Sequence, residues 1–185
     1  PREGYRQPSP GLRQAMRIDL TGQSYRQETP AYWTEPGAHI ETPFYGYGLS
    51  EHRLGEVLRN APRDSYVLST KIGRLLKPDH PSKVDGGQFA GTLPFQPVYD
   101  YSYDGVMRSF EDSLQRLGTY RIDILLIHDV DIWTHGSEAA KNERVRQVMT
   151  GGYRALVKLR EDDVVKAIGA GLNEWQACQQ LAEQG

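Results

Sequence analysis

The sequence predicts an α/β protein, the N-terminal half of a (β/α)8 TIM barrel, and three observations carry that expectation. Short, near-continuous apolar runs at residues 66–72, 122–127 and 164–170 read as strands buried on both faces. Segments with helical periodicity alternate with them, and no hairpin signal joins strand to strand, so the sheet reads as parallel. Tyr45, Lys71 and His128 each fall at the C-terminal end of a strand or in the loop after one, where a parallel barrel gathers its chemistry. A closed barrel needs about eight strand–helix units in about 250 residues. Here three units are clear and a fourth strand, before Tyr45, is degraded. The chain opens on Pro1 and stops at Gly185, inside or just after a helical pattern, and therefore reads as a fragment.

Composition narrows the classes. The chain has 185 residues, enough for one domain with a sizeable core. A net charge of −2 asks for neither nucleic acid nor an acidic membrane surface. No apolar run approaches the length of a membrane span, and no signal-peptide core is visible. The single cysteine, Cys178, excludes an internal disulfide and agrees with a reducing, cytoplasmic setting.

Residues 1–37 have no usable period. Arg, Gln, Pro, Ser and Thr dominate, and the stretch reads as an irregular polar arm in which 16–20 is at most a short strand. From Ala38 the character changes. Tyr45 sits in a Pro/Gly-broken loop, followed by a helix that Ser50 can cap, with Glu51 at its positive end and Leu54, Val57 and Leu58 on one face. The stretch 60–64 stops that helix, and the strand 66–72 follows. Residues 73–99 form a long Pro/Gly-rich loop of the kind used for binding. The helix at 101–117 is strongly patterned through Val106, Met107, Phe110, Leu114 and Leu117, and Gly118 ends it. After the strand 122–127 come a loop at 129–136, a helical stretch broken at Gly151-Gly152, and a further helix over 153–160. Asp163 stands where a glycine would cap better. The last helix begins at Asn173, which with Gln176 resembles a capping box, and turns Trp175, Cys178, Leu181 and Ala182 inward.

Several motifs compete for a functional reading. Gly46-Tyr47-Gly48 and Gly169-Ala170-Gly171 each begin like a dinucleotide fingerprint, but Glu51 and Glu174 stand where the third glycine belongs; the second, after a strand, is the runner-up. His128 and His135 flank Asp129 and Asp131 in no spacing that defines a metal site, so no metal is assigned. Lys71 is harder to dismiss. A lysine ending an apolar strand must be desolvated, and burial without an anionic or phenolic partner costs several kcal/mol, roughly. An unperturbed phenol titrates near pH ~10, too high for acid–base work at neutrality. A neighbouring ammonium favours the phenolate, and an imidazole can donate to a carbonyl oxygen. Together these groups suit carbonyl reduction or its reverse, with hydride supplied by a cofactor because no side chain carries one.

Three stretches carry a resemblance. Thr42-Pro-Phe-Tyr45-Gly-Tyr-Gly-Leu-Ser50-Glu51, Leu68-Ser-Thr-Lys71-Ile-Gly73 and Asp123-Ile-Leu-Leu-Ile-His128 look like the signatures of the aldo-keto reductase family, in order and suitably spaced. The segments 101–117 and 151–159 resemble the branch that contains D-threo-aldose 1-dehydrogenase (L-fucose dehydrogenase) and pyridoxal 4-dehydrogenase. The likeness covers about residues 41–185, so the domain reading is an arm at 1–37, irregular or mis-framed, followed by a truncated reductase barrel at 38–185. It implies an NAD- or NADP-dependent oxidoreductase acting on a small sugar or aldehyde, by oxidising an aldose to its lactone or by interconverting a carbonyl and an alcohol. It further implies Tyr45 as proton donor or acceptor, Lys71 as its tuner, His128 as the group that orients the carbonyl, and Asn173 as the holder of the nicotinamide carboxamide.

The departures from the family pattern set the remaining expectations. Family members read Asp-Thr-Ala-x-x-Tyr, with the aspartate paired to the lysine. Here Glu41 stands one residue nearer to Tyr45, so either the strand end is remodelled around Glu41 or Glu41 is not the counterpart. The last three strands, with the loops that hold the cofactor's phosphates and adenosine, would lie beyond Gly185. An open half barrel leaves two long parallel edges and an exposed apolar face, so the chain alone is expected not to act as a monomeric enzyme. Two other readings stay open: a non-catalytic nucleotide-binding regulator of a partner, and an inactive remnant.

Overall fold

The computed structural model describes residues 38–42, 45–87, 89 and 91–185. The arm predicted at 1–37, with its candidate strand at 16–20, lies outside the described residues. The elements are β1 (Ala38–Thr42), α1 (Leu49–Leu58), β2 (Tyr66–Ile72), β3 (Arg74–Pro78), β4 (Phe95–Tyr99), α2 (Tyr103–Leu117), β5 (Ile124–His128), α3 (Ile132–His135), α4 (Glu138–Gln147), α5 (Tyr153–Glu161), β6 (Ala167–Gly171) and α6 (Trp175–Gln184). Strands β1, β2, β5 and β6 form a four-stranded sheet in that order, and every pairing is parallel. The helices pack on one side of this sheet, the arrangement of an arc of a (β/α)8 barrel.

Register sorts the strand residues between the two faces. Ile40 pairs with Leu68, Ile72 with Ile127, and Leu125 with Ile168. These residues pack with Val106, Phe110, Leu117, Leu156 and Leu159 from the helices in one core. Because successive side chains of a strand point oppositely, the residues between them face the other way. That inner face carries His39 and Glu41 on β1, Ser69 and Lys71 on β2, Leu126 and His128 on β5, and Gly169 and Gly171 on β6.

The patterned helix forms as its sequence dictates. Ser102 caps α2 through its Oγ, which accepts the Gly105 N–H at 3.1 Å, and Gly118 closes it in the left-handed conformation. Val106, Phe110 and Leu117 are buried along one face.

Other expectations are corrected. The stretch 73–99 is not a plain loop: β3 and β4 pair antiparallel, with Arg74 opposite Tyr99 and Pro78 opposite Phe95. The hairpin is hidden in the sequence because its connection, 79–94, is long and its strands contain Pro78 and Pro97, which remove ladder donors and are tolerated only at an edge. Gly73 makes the turn from β2 into β3 at φ 100°, and a Cβ there would lie 2.3 Å from the Tyr101 ring. Ser50 does not cap α1; Gly48 holds that position, and Ser50 lies inside the helix. The inferred capping box at Asn173 is also absent: Glu174 precedes α6, and the Asn173 side chain turns elsewhere. Trp175 is 69% exposed rather than inward. Asp163 adopts φ 58°, the glycine-like conformation its position demanded.

Candidate active site

Lys71 and His128 reach the same end of the inner face from neighbouring strands. Lys71 pairs in register with Leu126, two residues before His128, and Leu126 and His128 in turn face Gly169 and Gly171 on β6. The Lys71 stem crosses toward β6: a Cβ on Gly171 would lie 2.6 Å from its Cε. Glycine at 171 therefore leaves the space this side chain occupies. In this strand the Gly169-Ala170-Gly171 run is not a phosphate-binding turn, because both glycines lie within β6 rather than between a strand and a helix.

The Lys71 Nζ donates to Glu41 Oε1 from across the sheet. Glu41 is thus an ion-pair partner of the lysine; its extra methylene gives it reach from the shortened β1 end. The lysine side chain is 9% exposed and the glutamate 44%, so the pair is buried on one side and open on the other. Ser69 lies on the same face and its Oγ is 3.0 Å from His39 Nε2.

His128 is buried. Burial, and then the positive charges of Arg74 and Lys71, push its pKa down from 6.5 to about 2. It is therefore a neutral imidazole at physiological pH, and its 3.3 Å contact from Nε2 to Asp129 Oδ2 is not an ion pair. Tyr101 supports the strand end from behind, donating its hydroxyl to the His128 carbonyl at 2.7 Å. Its ring is fully buried, and burial raises its pKa, so it serves as a neutral donor.

The loop after β5 ties the site to the hairpin and to β6. Asp129 adopts φ 51°, forms an ion pair with Arg74, and accepts Asn173 Nδ2 at 3.2 Å through Oδ1. The Arg74 guanidinium also lies over the Tyr99 ring, 5.0 Å from its centre. Asp131 accepts from both the backbone N–H and the side-chain amide of Asn173. Asp129 and Asp131 of the histidine–aspartate run are engaged in these local contacts, and His135 packs edge-on against Tyr99, with ring centres 4.8 Å apart. Among the described residues no cluster of metal-ligating side chains forms.

Tyr45 is the residue the structure does not bring against the others. It begins the turn before α1, 44% exposed, and its ring stacks on Phe89 with centres 5.3 Å apart. Among the described residues no hydrogen bond joins its hydroxyl to Lys71 or His128. Arg74, Tyr101, Gly171 and Phe89 were not singled out for the site from sequence. The signal for Tyr101 and Arg74 was weak, because each reaches the site through a hairpin the sequence did not announce.

Comparison with known proteins extends these observations. The model of the Aldo/keto reductase family matches residues 39–185. Pyridoxal 4-dehydrogenase of Microbacterium luteolum is 46% identical over 154 residues, covering 77% of this chain and 44% of that protein. D-threo-aldose 1-dehydrogenase of Pseudomonas sp is 40% identical over 146 residues, covering 76% of this chain and 41% of that protein. Solved structures agree on the fold: a glycerol dehydrogenase from Gluconobacter oxydans superposes with a TM-score of 0.54 at 22% identity, covering 80% of this chain and 38% of that one. An aldo/keto reductase from Brucella melitensis gives 0.51 at 24%, covering 80% and 43%. The chain spans less than half the length of the curated relatives it matches.

Proposed function

The chain belongs to the aldo/keto reductase family, and from that premise we propose that it forms part of an NAD- or NADP-dependent oxidoreductase that oxidises an aldose to its lactone or interconverts a carbonyl and an alcohol. The observation that carries this reading is the pairing of a buried lysine with a carboxylate beside a neutral, buried histidine on one strand-end surface. The substrate class is a small sugar or aldehyde, in keeping with the two dehydrogenases named above, and the same reading places the protein in the cytoplasm.

In this mechanism the neutral His128 imidazole donates an N–H to the substrate oxygen and orients the carbonyl, without competing for the proton. Tyr45, which in this structure stacks on Phe89, would give its proton to that oxygen in the reducing direction and take it back in the oxidising one once its turn brings the phenol against Lys71 and His128. Lys71, held by Glu41, stabilises the negative charge that develops on the phenol oxygen. Glu41 limits that effect by neutralising part of the ammonium, while its own exposure keeps the pair able to respond to a bound ligand. Asn173 suits the nicotinamide end of the cofactor, because its amide nitrogen is already engaged and its oxygen is left to accept. When bound, the dinucleotide supplies or takes the hydride.

The test is turnover of an aldose panel and of pyridoxal with each oxidised dinucleotide, read by formation of the reduced nicotinamide. Tyr45→Phe should lower kcat by about 100-fold or more with little change in folding. Equal turnover by the wild type and this variant would remove Tyr45 from the mechanism. Dinucleotide binding without turnover of any substrate would favour the regulatory reading instead.

A further inference from the structure

The orientation of Asn173 is not free. Its backbone N–H donates to Asp131 Oδ2 at 2.8 Å, and its Nδ2 donates to the same oxygen at 3.0 Å and to Asp129 Oδ1 at 3.2 Å. A side-chain amide nitrogen carries two hydrogens, and here both meet carboxylate oxygens. Turning the amide over would set its carbonyl oxygen against two carboxylates. Charge, rather than shape, therefore decides which end of the amide faces out.

Asp131 is well placed to enforce this. It is fully buried, and its Oδ1 accepts the Thr134 N–H at 2.9 Å at the start of α3. Burial alone would raise its pKa, but the hydrogen bonds from Thr134 and Asn173 outweigh burial and lower it. It is a fixed anion. Asp129, the second acceptor, is itself held by Arg74 and lies against His128. The histidine and the asparagine thus share one carboxylate, and Asp131 secures the asparagine from the far side.

We propose that Asp131 is a positioning residue that presents Asn173 Oδ1 as a one-way acceptor. The loop after β6 then selects a ring substituent bearing an N–H donor, such as a carboxamide, over one bearing a carbonyl alone. This rests on the reading that the site takes the nicotinamide of a dinucleotide. It adds a residue that touches neither substrate nor cofactor, and a chemical criterion for what the loop accepts.

The experiment compares binding of the oxidised dinucleotide with binding of its acetylpyridine analogue, in which a methyl group replaces the carboxamide nitrogen. Dissociation constants are measured by calorimetry on the full-length protein. The wild type should prefer the carboxamide by about tenfold, the cost of leaving one acceptor unmatched. Asp131→Ser, whose hydroxyl can still cap α3 but is too short to reach the amide, should bring that preference close to unity. Asn173→Ala should do the same with the α3 cap untouched, which covers the case in which the first variant folds poorly. Ser137→Ala removes a comparable cap, from α4, and should lower the melting temperature while leaving the preference intact. A preference unchanged in Asp131→Ser and lost in Asn173→Ala overturns the positioning role alone. A wild type that binds both compounds equally also overturns it, and one that binds neither overturns the dinucleotide reading with it.

Discussion

Two adjacent residues of β2 hold two acid–base pairs, one on each face of the same strand. Thr70 points to the helices, where its Oγ1 donates to Glu51 Oε1 at 2.7 Å and Glu51 forms an ion pair with Arg116 of α2. Lys71 points to the inner face and pairs with Glu41. Glu51 is fully buried, whereas Glu41 is 44% exposed. The outer pair is closed off and joins α1, β2 and α2, while the inner pair keeps one side open to whatever binds.

That contrast can be broken at either end. Lys71→Met should reduce turnover by about a thousandfold if Lys71 stabilises the phenolate as proposed. Its melting temperature should stay near that of the wild type, because Glu41 is left facing water. A comparable loss of stability would mean that the inner pair is structural after all. Glu51→Gln should do the opposite. Leaving Arg116 without its carboxylate should cost about 3 kcal/mol in a urea titration, because a nearly buried charge loses its partner. The fraction that stays folded should turn over normally.

The pH dependence sharpens the same division. In the folded chain the His128 pKa is pushed down from 6.5 to about 2, chiefly by burial. The unfolded chain takes up a proton below its ordinary pKa and the folded chain does not. The stability tied to the neutral imidazole is therefore complete above pH 6.5 and is lost progressively as pH falls toward about 2. The slope from this one group is at most about 1.4 kcal/mol per pH unit. His135 adds to it in the same direction, its pKa being lowered by burial and then by Arg144. His128→Gln should flatten the acid limb of a stability-against-pH curve. An unchanged limb would show that the imidazole is not buried in solution.

The need of Lys71 for a partner was legible before the structure. Lys71 ends a run whose other members are apolar, and a lysine there has few roles that do not involve a partner. His128 stands in the same relation to the run before it. Glu41 is ambiguous in the sequence, because spacing alone cannot say whether a shortened strand end still aims its acid at the lysine. The arm at 1–37 and the residues between β1 and Tyr45 lie outside the described residues. The structure therefore adds nothing to the reading of the arm. Asn173 shows how a residue's local role can differ from the one its spacing suggests. Its place before a helix suggested a cap, but two aspartates from the β5 loop claim its amide.

By itself the sequence determined the alternation of buried strands and amphipathic helices, the patterned helix read at 101–117 and its end at Gly118, and which strand ends carry reactive groups. These depend on periodicity and on residues near one another in the chain. Only the tertiary structure decided that Glu41 meets Lys71 and that Arg74 reaches Asp129 from a hairpin. It alone decided that Gly171 clears space for a lysine two strands away and that Asp131 sets the direction of an amide. Each of those depends on parallel register between distant segments, and a one-residue slip would send every one of those side chains to the opposite face.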